Sequence, residues 1–157
     1  MAGNASAAQA VTLDINNLDE VAPTITSSDT ATAIDENSGA GQVIYTAGAE
    51  DSADISNGFT YSLSEDSDSA LTIDSVTGEV TLATDPDHET QSQYSFSVIA
   101  TDTAGNASNA QAVTLDINDL DDAAPTITSG DTAVTIDENS GAGQVIYTVT
   151  ADDISDD

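Results

Sequence analysis

The chain has 157 residues, of which 29 are Asp or Glu, one is His and none is Lys, Arg or Cys. A net charge of −29 argues against nucleic acid and anionic membrane surfaces as partners, because both are bound through basic side chains. The absence of cysteine excludes disulfides and thiolate metal sites, and no apolar run of about 20 residues predicts insertion into a membrane.

The chain repeats itself with a period of 102 residues, and residues 2–46 match residues 104–148 at 38 of 45 positions. Such near-identity predicts a tandem array. The period divides the chain into three pieces. We expect residues 1–21 to be the C-terminal strand and linker of a preceding repeat, residues 22–123 to be one complete repeat, and residues 124–157 to be the N-terminal part of the next.

The two end pieces lack most of the strands of a repeat, so neither is expected to bury a core alone. Three fates are open to them: they fray, they lie on the complete repeat, or they pair with the complementary piece of another molecule. The partners expected from the sequence are therefore the adjacent repeats of the same chain and, by strand exchange, other copies.

Hydrophobic and polar residues alternate along short runs of the complete repeat, which predicts strands with one buried face. In chain order the runs contain Val43 and Tyr45; Phe59, Tyr61 and Leu63; Leu71 and Ile73; Val80 and Leu82; Tyr94, Phe96, Val98 and Ala100; and Val113, Leu115 and Ile117. Turn residues such as Asn57-Gly58 and Thr77-Gly78 separate the runs. The pattern predicts an all-β fold, a seven-stranded Greek-key β-sandwich.

Acidic residues gather where these strands end. In chain order the groups are Glu36-Asn37, Asp51 with Asp54, Asp87-His88-Glu89, Asp102, and the run from Asp119 to Asp122. Two carboxylates about 5 Å apart repel by about 3 kcal/mol at an effective dielectric of about 20, and the chain has no basic side chain except His88 to offset this. Calcium takes about 6–8 oxygen ligands from carboxylates, amides and carbonyls, so several bound Ca²⁺ ions are expected.

The order and spacing of these motifs resemble the cadherin domain along nearly the whole complete repeat. The resemblance rests on Glu36-Asn37 before a Gly and a Val, on Asp87-His88-Glu89 five residues before Tyr94, on Ala100-Thr101-Asp102, and on the linker from Asp119 to Pro125. Near-identical repeats without cysteine or basic residues further resemble the extender repeats of giant bacterial adhesins of the RTX type, which are exported by type I secretion.

The resemblance implies that calcium binds at the junctions between successive repeats. At the C-terminal junction it implies as ligands Glu36, Asp87, Glu89, Asp121, Asp122 and the carbonyls of Leu120 and Ala123, with Asp153 and Asp156 from the next repeat. At the N-terminal junction it implies Asp19, Glu20, Asp51, Asp54, Asp102 and the carbonyls of Val21 and Asn57.

His88 is the one conceivable general base in the chain. A lone histidine in an acidic loop, without a nucleophile partner, is expected to be a solvated residue, and no grouping offers the open metal position and proton-transfer group that a metallohydrolase needs. The sequence therefore predicts that the protein is not an enzyme.

The expected function is that of a calcium-rigidified structural extender, which holds a separate adhesive domain away from a bacterial cell surface. The expected location is extracellular. The alternative is a repeat that itself mediates homophilic or glycan adhesion, although the chain has no Trp to serve as an interface anchor.

Overall fold

The computed structural model describes residues 1–53, 55 and 57–153. These residues contain no helix, and hence none that is long and apolar enough to cross a membrane. The strands are β1 (Thr24–Ile25), β2 (Ile34–Asp35), β3 (Gln42–Thr46), β4 (Ala49–Glu50), β5 (Phe59–Leu63), β6 (Leu71–Ile73), β7 (Glu79–Leu82), β8 (Gln93–Asp102), β9 (Gln111–Asn118), β10 (Thr126–Ile127) and β11 (Ala151–Asp152).

Two sheets make up the complete repeat. One has four strands in the order β2-β9-β8-β5, and the other has three strands in the order β3-β7-β6. The short strands β1 and β4 pair antiparallel with each other. The seven strands of the two main sheets confirm the predicted all-β sandwich.

The longest strands, β8 and β9, carry most of the core. Their apolar side chains alternate with polar ones as predicted, and Tyr94, Phe96, Val98, Ala100, Val113, Leu115 and Ile117 are all buried. Across the sandwich, Tyr45 of β3 packs edge to face on Phe96 of β8, with ring centroids 5.5 Å apart. This contact joins the two sheets and adds to the burial of both rings.

Strand β3 departs from the predicted alternation. The sequence predicts that Val43 and Tyr45 share the buried face, but Val43 is 53% exposed while Ile44 and Tyr45 are both buried. A β-bulge between Val43 and Tyr45 shifts the register against β7. Because a bulge inserts one extra residue, it turns the preceding side chain toward solvent.

The first and last strands of the sandwich are neighbours and run parallel. Ile34 of β2 pairs with Ile117 of β9, and Asp35 pairs with Asn118. The amide of Glu36 then donates to the carbonyl of Asn118 at 3.1 Å. The acidic motif after β2 is thereby held beside the linker that leaves β9.

Residues 1–21 do not form the strand that their sequence predicts. Leu13 is 84% exposed, whereas Leu115, its counterpart one repeat later, is fully buried. The difference arises because β2 and β8, which flank β9 in the complete repeat, have no equivalents beside residues 1–21. Residues 1–21 would need neighbouring strands in order to form a strand, and the chain provides none beside them.

The second end piece keeps part of the repeat structure. Strands β10 and β11 pair antiparallel in the same register as β1 and β4, 102 residues earlier. Up to residue 153, its large apolar side chains, among them Ile136 and Val145, remain exposed. Local sequence is therefore sufficient for this short pairing, but not for a core.

The turn before β7 contains the closest backbone approach among the glycines. Gly78 has a φ of +72°, and a Cβ built there would lie 2.8 Å from the carbonyl oxygen of Ala47 and 3.0 Å from the ring of Tyr61. The amide of Ala47 donates to the carbonyl of Gly78 at 2.8 Å. Only glycine fits this position without strain.

Candidate metal centres

Three carboxylates from separate parts of the chain converge at the N-terminal end of the complete repeat. Asp19 lies in the segment before β1, Asp51 directly follows β4, and Asp102 ends β8. One oxygen from each lies within 4.8 Å of the others. We call these three residues the N-terminal group. It joins the preceding linker to two loops of the complete repeat.

Asp102 is fixed by the turn that follows β8. Its Oδ1 accepts hydrogen bonds from the amides of Gly105 at 2.7 Å and Asn106 at 2.8 Å, and its Oδ2 accepts one from the Asn106 side chain at 2.8 Å. Burial raises the pKa of Asp102, but these hydrogen bonds together outweigh it and hold the pKa below its ordinary value. The side chain therefore stays ionised, as a metal ligand must be.

The same turn secures the linker. Nδ2 of Asn106 donates to the backbone carbonyl of Asp19 at 3.1 Å, across 87 residues of sequence. Within the group, Oδ2 of Asp51 is inaccessible to solvent and accepts no hydrogen bond from the described residues. A buried carboxylate oxygen without a donor is costly, and a cation beside it would remove that cost.

A second group of carboxylates lies at the opposite end of the repeat. Glu36 follows β2, and Asp87 and Glu89 lie in the loop before β8. One oxygen from each again lies within 4.8 Å of the others. We call these residues the C-terminal group. Because β8 has 10 residues, the two groups are separated by about 30 Å along that strand.

Among the described acids of the repeat Glu36 is the most buried, at 1% exposure. Its Oε1 accepts a hydrogen bond from the amide of Leu120 at 2.7 Å, and its Oε2 accepts one from the amide of His88 at 2.9 Å. These two bonds hold the pKa of Glu36 below its usual range, and the bond from Leu120 has the larger effect. An ionised Glu36 thus connects β2, the loop before β8 and the linker after β9.

A third group surrounds the single histidine. Nδ1 of His88 lies 3.6 Å from Oε1 of Glu89 and 3.5 Å from Oδ2 of Asp119, and all three side chains offer ligand atoms within 4.8 Å of one another. We call these residues the histidine group. The side chain of His88 is 24% exposed, so it is partly accessible to solvent, and it lies between two carboxylates.

The three groups contain six of the residues that the resemblance implies as ligands: Asp19, Asp51, Asp102, Glu36, Asp87 and Glu89. Four of the other predicted acids in the described part of the chain lie outside these groups: Glu20, Asp121, Asp122 and Asp153. The carbonyl ligands expected at Val21, Asn57, Leu120 and Ala123 are backbone donors, so these side-chain groups leave them as predictions. Asp54 and Asp156 lie outside the described residues.

Two of the residues outside the groups still contact the loop after β2. Leu120, expected to offer its carbonyl, donates its amide to Glu36. Oδ2 of Asp122 accepts a hydrogen bond of 2.7 Å from the side chain of Asn37, the neighbour of Glu36. The linker is therefore attached to the loop after β2 at two points.

Asp119 begins the acidic run recognised in the sequence, but it was not predicted as a ligand. Its Oδ1 is inaccessible to solvent and accepts no hydrogen bond from the described residues. The available signal was its position, immediately after β9 and at the start of the acidic linker run. Since β9 lies between β2 and β8, a residue that leaves β9 is brought close to both acidic loops.

The donor sets of the groups differ in chemistry. The N-terminal and C-terminal groups offer only carboxylate oxygens, and these fit a hard cation such as calcium. The histidine group adds an imidazole nitrogen, a ligand that calcium sites do not normally use. The arrangement of the three groups can bind cations.

Comparison with known proteins places the fold in a family. The model of the cadherin domain matches residues 30–118. The chain is 33% identical to human Protocadherin-23 over 93 residues, which are 58% of this chain and 3% of the relative. It is 31% identical to human Protocadherin Fat 1 over 149 residues, which are 92% of this chain and 3% of the relative. The chain thus spans a small fraction of either protein.

Solved structures of cadherin repeats have the same fold as this chain. The crystal structure of human Protocadherin-24 EC1-2 matches with a TM-score of 0.67 and 24% identity, covering 86% of this chain and 61% of that one. The crystal structure of Drosophila N-cadherin EC1-4 matches with a TM-score of 0.64 and 28% identity, covering 83% and 33%. Cadherin domains are extracellular, non-enzymatic adhesion modules that occur in tandem. Because the family model matches more than half of its residues, the chain belongs to the cadherin domain family.

Proposed function

We propose that the chain is a calcium-rigidified extender repeat, which holds a distal adhesive domain away from the cell that displays it. The observation that carries this proposal is the N-terminal group. There Asp19, from the linker of the preceding repeat, meets Asp51 and Asp102 of the complete repeat within 4.8 Å. A cation bound by all three would cross-link two successive repeats.

Calcium is the cation that this group favours. All three donors are carboxylates, the chain has 29 acids and no Lys or Arg, and Oδ2 of Asp51 is buried without a hydrogen-bond donor. A divalent cation would neutralise the mutual repulsion and fill the unsatisfied acceptor. Extracellular calcium modules bind with dissociation constants of about 10⁻⁴–10⁻³ M, so the repeat would be loaded outside the cell.

Stiffness follows from the same contacts. One hydrogen bond between the turn after β8 and the linker runs from Asn106 to Asp19 at 3.1 Å. Such a bond contributes about 0.5–1.5 kcal/mol, which is less than a shared divalent cation would add. Several metal bonds that share one ion would have to break before a loaded joint bends.

The C-terminal group supports an equivalent joint with the following repeat. Glu36, Asp87 and Glu89 supply the carboxylates, and Asp119 adds a buried oxygen beside them. We propose that the linker donors and the next repeat complete the coordination, with Asp121, Asp122, the carbonyls of Leu120 and Ala123, and residues Asp153 and Asp156 as further ligands. At the N-terminal junction, the coordination would be completed by Glu20, Asp54 and the carbonyls of Val21 and Asn57.

A bacterial adhesin of the RTX type remains our proposal for the parent protein. The two relatives described above are human proteins, and the support for a bacterial adhesin comes from the near-identity of the repeats and the lack of cysteine and basic residues. Direct adhesion by the repeat, homophilic or to glycans, is less well supported. The Tyr and Phe side chains of the described part of residues 22–123 are buried or packed against the core.

Strand exchange between copies has one observation in its favour. Val11, Leu13 and Ile15 are exposed, although their counterparts Val113, Leu115 and Ile117 lie in the core. A second copy that presents Ile136 would offer the parallel partner that Ile34 gives Ile117. Light scattering of the wild type and of a variant with Ser at Val11, Leu13 and Ile15 tests this. We expect the wild type to associate and the variant to remain monomeric. If both proteins are monomeric, strand exchange between copies is excluded.

A calcium titration tests the main proposal. At a free calcium concentration of 100 times the dissociation constant, one site adds about 2.7 kcal/mol, which corresponds to a melting temperature about 10 °C higher for a domain of this size. Asp51→Asn should lose most of this gain, whereas Asp29→Asn, on an exposed loop, should keep it. Identical melting and small-angle scattering curves in calcium and in chelator would contradict the proposal.

A further inference from the structure

The segment that leads into β5 contains the one Asn-Gly pair of the chain, Asn57-Gly58. We propose that Asn57 is a site of spontaneous covalent modification, at which its side-chain amide is converted to a carboxylate without an enzyme. Asparagine is among the thermolabile residues of proteins. A following glycine favours the reaction, because it carries no side chain that would hinder its backbone nitrogen.

The reaction balances with water as its co-reactant. The backbone nitrogen of Gly58 attacks Cγ of Asn57, a new C–N bond closes a cyclic imide, and the side-chain nitrogen leaves as ammonia with the proton of the Gly58 amide. Water then opens the imide at either of its two carbonyls. One opening gives an ordinary aspartate, and the other gives isoaspartate, in which the main chain runs through the former side chain.

The structure leaves both reacting groups accessible. Asn57 and Gly58 are exposed, and apart from its chain neighbours no atom lies within 4 Å of a Cβ built on Gly58. Within the described part of the chain, no group hydrogen-bonds to the side chain of Asn57 or accepts a bond from the amide of Gly58. The imide can therefore form without the loss of a described contact.

The far side of Gly58 is held in place. Its carbonyl accepts a hydrogen bond of 3.2 Å from the amide of Thr103, and the next residue, Phe59, pairs with Asp102 at the end of β8. The attacking nitrogen thus belongs to a fixed residue, while the side chain of Asn57 can rotate toward it. This arrangement favours ring closure, because only one of the two partners has to be brought into position.

The fold restrains other asparagines of the repeat. Nδ2 of Asn37 donates to Oδ2 of Asp122 at 2.7 Å, and Nδ2 of Asn106 donates to Oδ2 of Asp102 at 2.8 Å. A side-chain amide held in this way loses its hydrogen bond when it turns toward the following nitrogen. Neither residue is followed by glycine. We therefore expect Asn57 to react before them.

The product changes the N-terminal end of the complete repeat. A carboxylate at position 57 adds a negative charge to a region that already holds Asp51 and Asp102, in a chain without Lys or Arg. Isoaspartate also adds one carbon to the main chain before β5 and displaces the carbonyl of Asn57. That carbonyl is one of the proposed calcium ligands, so this last consequence rests on the proposed function, whereas the reaction itself does not.

Peptide mapping by mass spectrometry tests the proposal. The chain is incubated in chelator at mildly alkaline pH, so that the result is independent of calcium, and is then cut after Glu. Residues 51–65 form one peptide, in which Asn57 is the only side-chain amide. We expect this peptide to gain one mass unit, as NH₂ becomes OH, before the peptide of residues 37–50 that carries Asn37. No gain in residues 51–65, or an earlier gain in residues 37–50, would overturn the proposal.

Two controls separate the fold from the sequence motif. Asn57→Gln keeps a side-chain amide but would have to close a larger ring, so its peptide should keep its mass over the same time. In urea, Asn37 should react faster than in the folded chain, whereas Asn57 should react at a similar rate in both states. Circular dichroism checks that the incubated chain and the variant are folded. If folding slows the reaction of Asn57 as much as that of Asn37, or if the Gln variant gains mass equally fast, the assignment of this site is wrong.

Discussion

Oε1 of Glu36 accepts a hydrogen bond of 2.7 Å from the backbone amide of Leu120, although 84 residues separate them in sequence. Glu36 lies at the start of the complete repeat and Leu120 lies in the linker that leaves it. An almost completely buried carboxylate therefore connects the beginning of a repeat to its end. Glu138 occupies the same position of the next copy and is exposed.

Glu36 and Glu138, which occupy the same position in two successive copies, provide a matched test of the buried carboxylate. Glu36→Gln replaces one acceptor oxygen by an NH₂ group, so either the amide of Leu120 or that of His88 loses its partner. We expect a lower melting temperature for Glu36→Gln and an unchanged one for Glu138→Gln, both measured in chelator. Equal melting temperatures would contradict a structural role for Glu36.

Leu115 and Leu13 form a second matched pair. Leu115→Ala should lower the free energy of unfolding by about 2–5 kcal/mol, since it leaves a cavity in the core. Leu13→Ala should change it by less than about 0.5 kcal/mol, because this side chain is exposed. Urea unfolding followed by circular dichroism, at a dilution where copies do not associate, measures both. A large effect of Leu13→Ala would show that residues 1–21 pack on a core.

Gly78 should be intolerant of a side chain. Gly78→Ala places a Cβ 2.8 Å from the carbonyl oxygen of Ala47 at a positive φ, and we expect a loss of about 1–3 kcal/mol in unfolding free energy. Gly39→Ala is the control, because its φ of +97° is no more favourable but no atom lies within 4 Å of the added carbon. A smaller loss at Gly78 than at Gly39 would refute the packing explanation.

Asp74 should make stability depend on pH in the acid range. The amides of Thr77 and Val76 donate to its Oδ1, and these bonds lower its pKa from 3.8. A group whose folded pKa is depressed stabilises the protein above the unfolded pKa, and this contribution is lost as the pH falls through the folded pKa.

Asp74→Asn should therefore be less stable than wild type near neutral pH, and the difference should shrink as the pH falls below about 3.8. Chemical unfolding at a series of pH values measures it. Glu65→Gln, at an exposed position, serves as the control for general charge effects. A difference that persists unchanged at the lowest pH would mean that the charge of Asp74 is not what stabilises its turn.

Local pattern was sufficient to predict the sandwich but not its irregularities. Strict alternation in β8 and β9 indicates the buried face directly, because one side chain in two points inward. In β3 the same alternation misassigned Val43, since a bulge changes the face of a residue without changing the sequence pattern. The missing strand in residues 1–21 depends on neighbours, which no local pattern contains.

The residues of the candidate sites also divide into those that the sequence motifs predict and those that only the fold reveals. Asp51 and Asp102 were predicted as ligands because the family motif carries them at fixed spacings. Asp119 and His88 were not, because their importance depends on the strand order β2-β9-β8, which brings the linker beside the acidic loops. Residues that act through such long-range pairing need the fold before they can be recognised.

The parallel pairing of β2 with β9 has a mechanical consequence. When the array is pulled from both ends, β2 is drawn from its N-terminal side and β9 from its C-terminal side. Because the two strands run in the same direction, the rungs from Thr30–Thr114 to Asp35–Asn118 are sheared together instead of opening one after another. A chain of such repeats would therefore resist tension along its length.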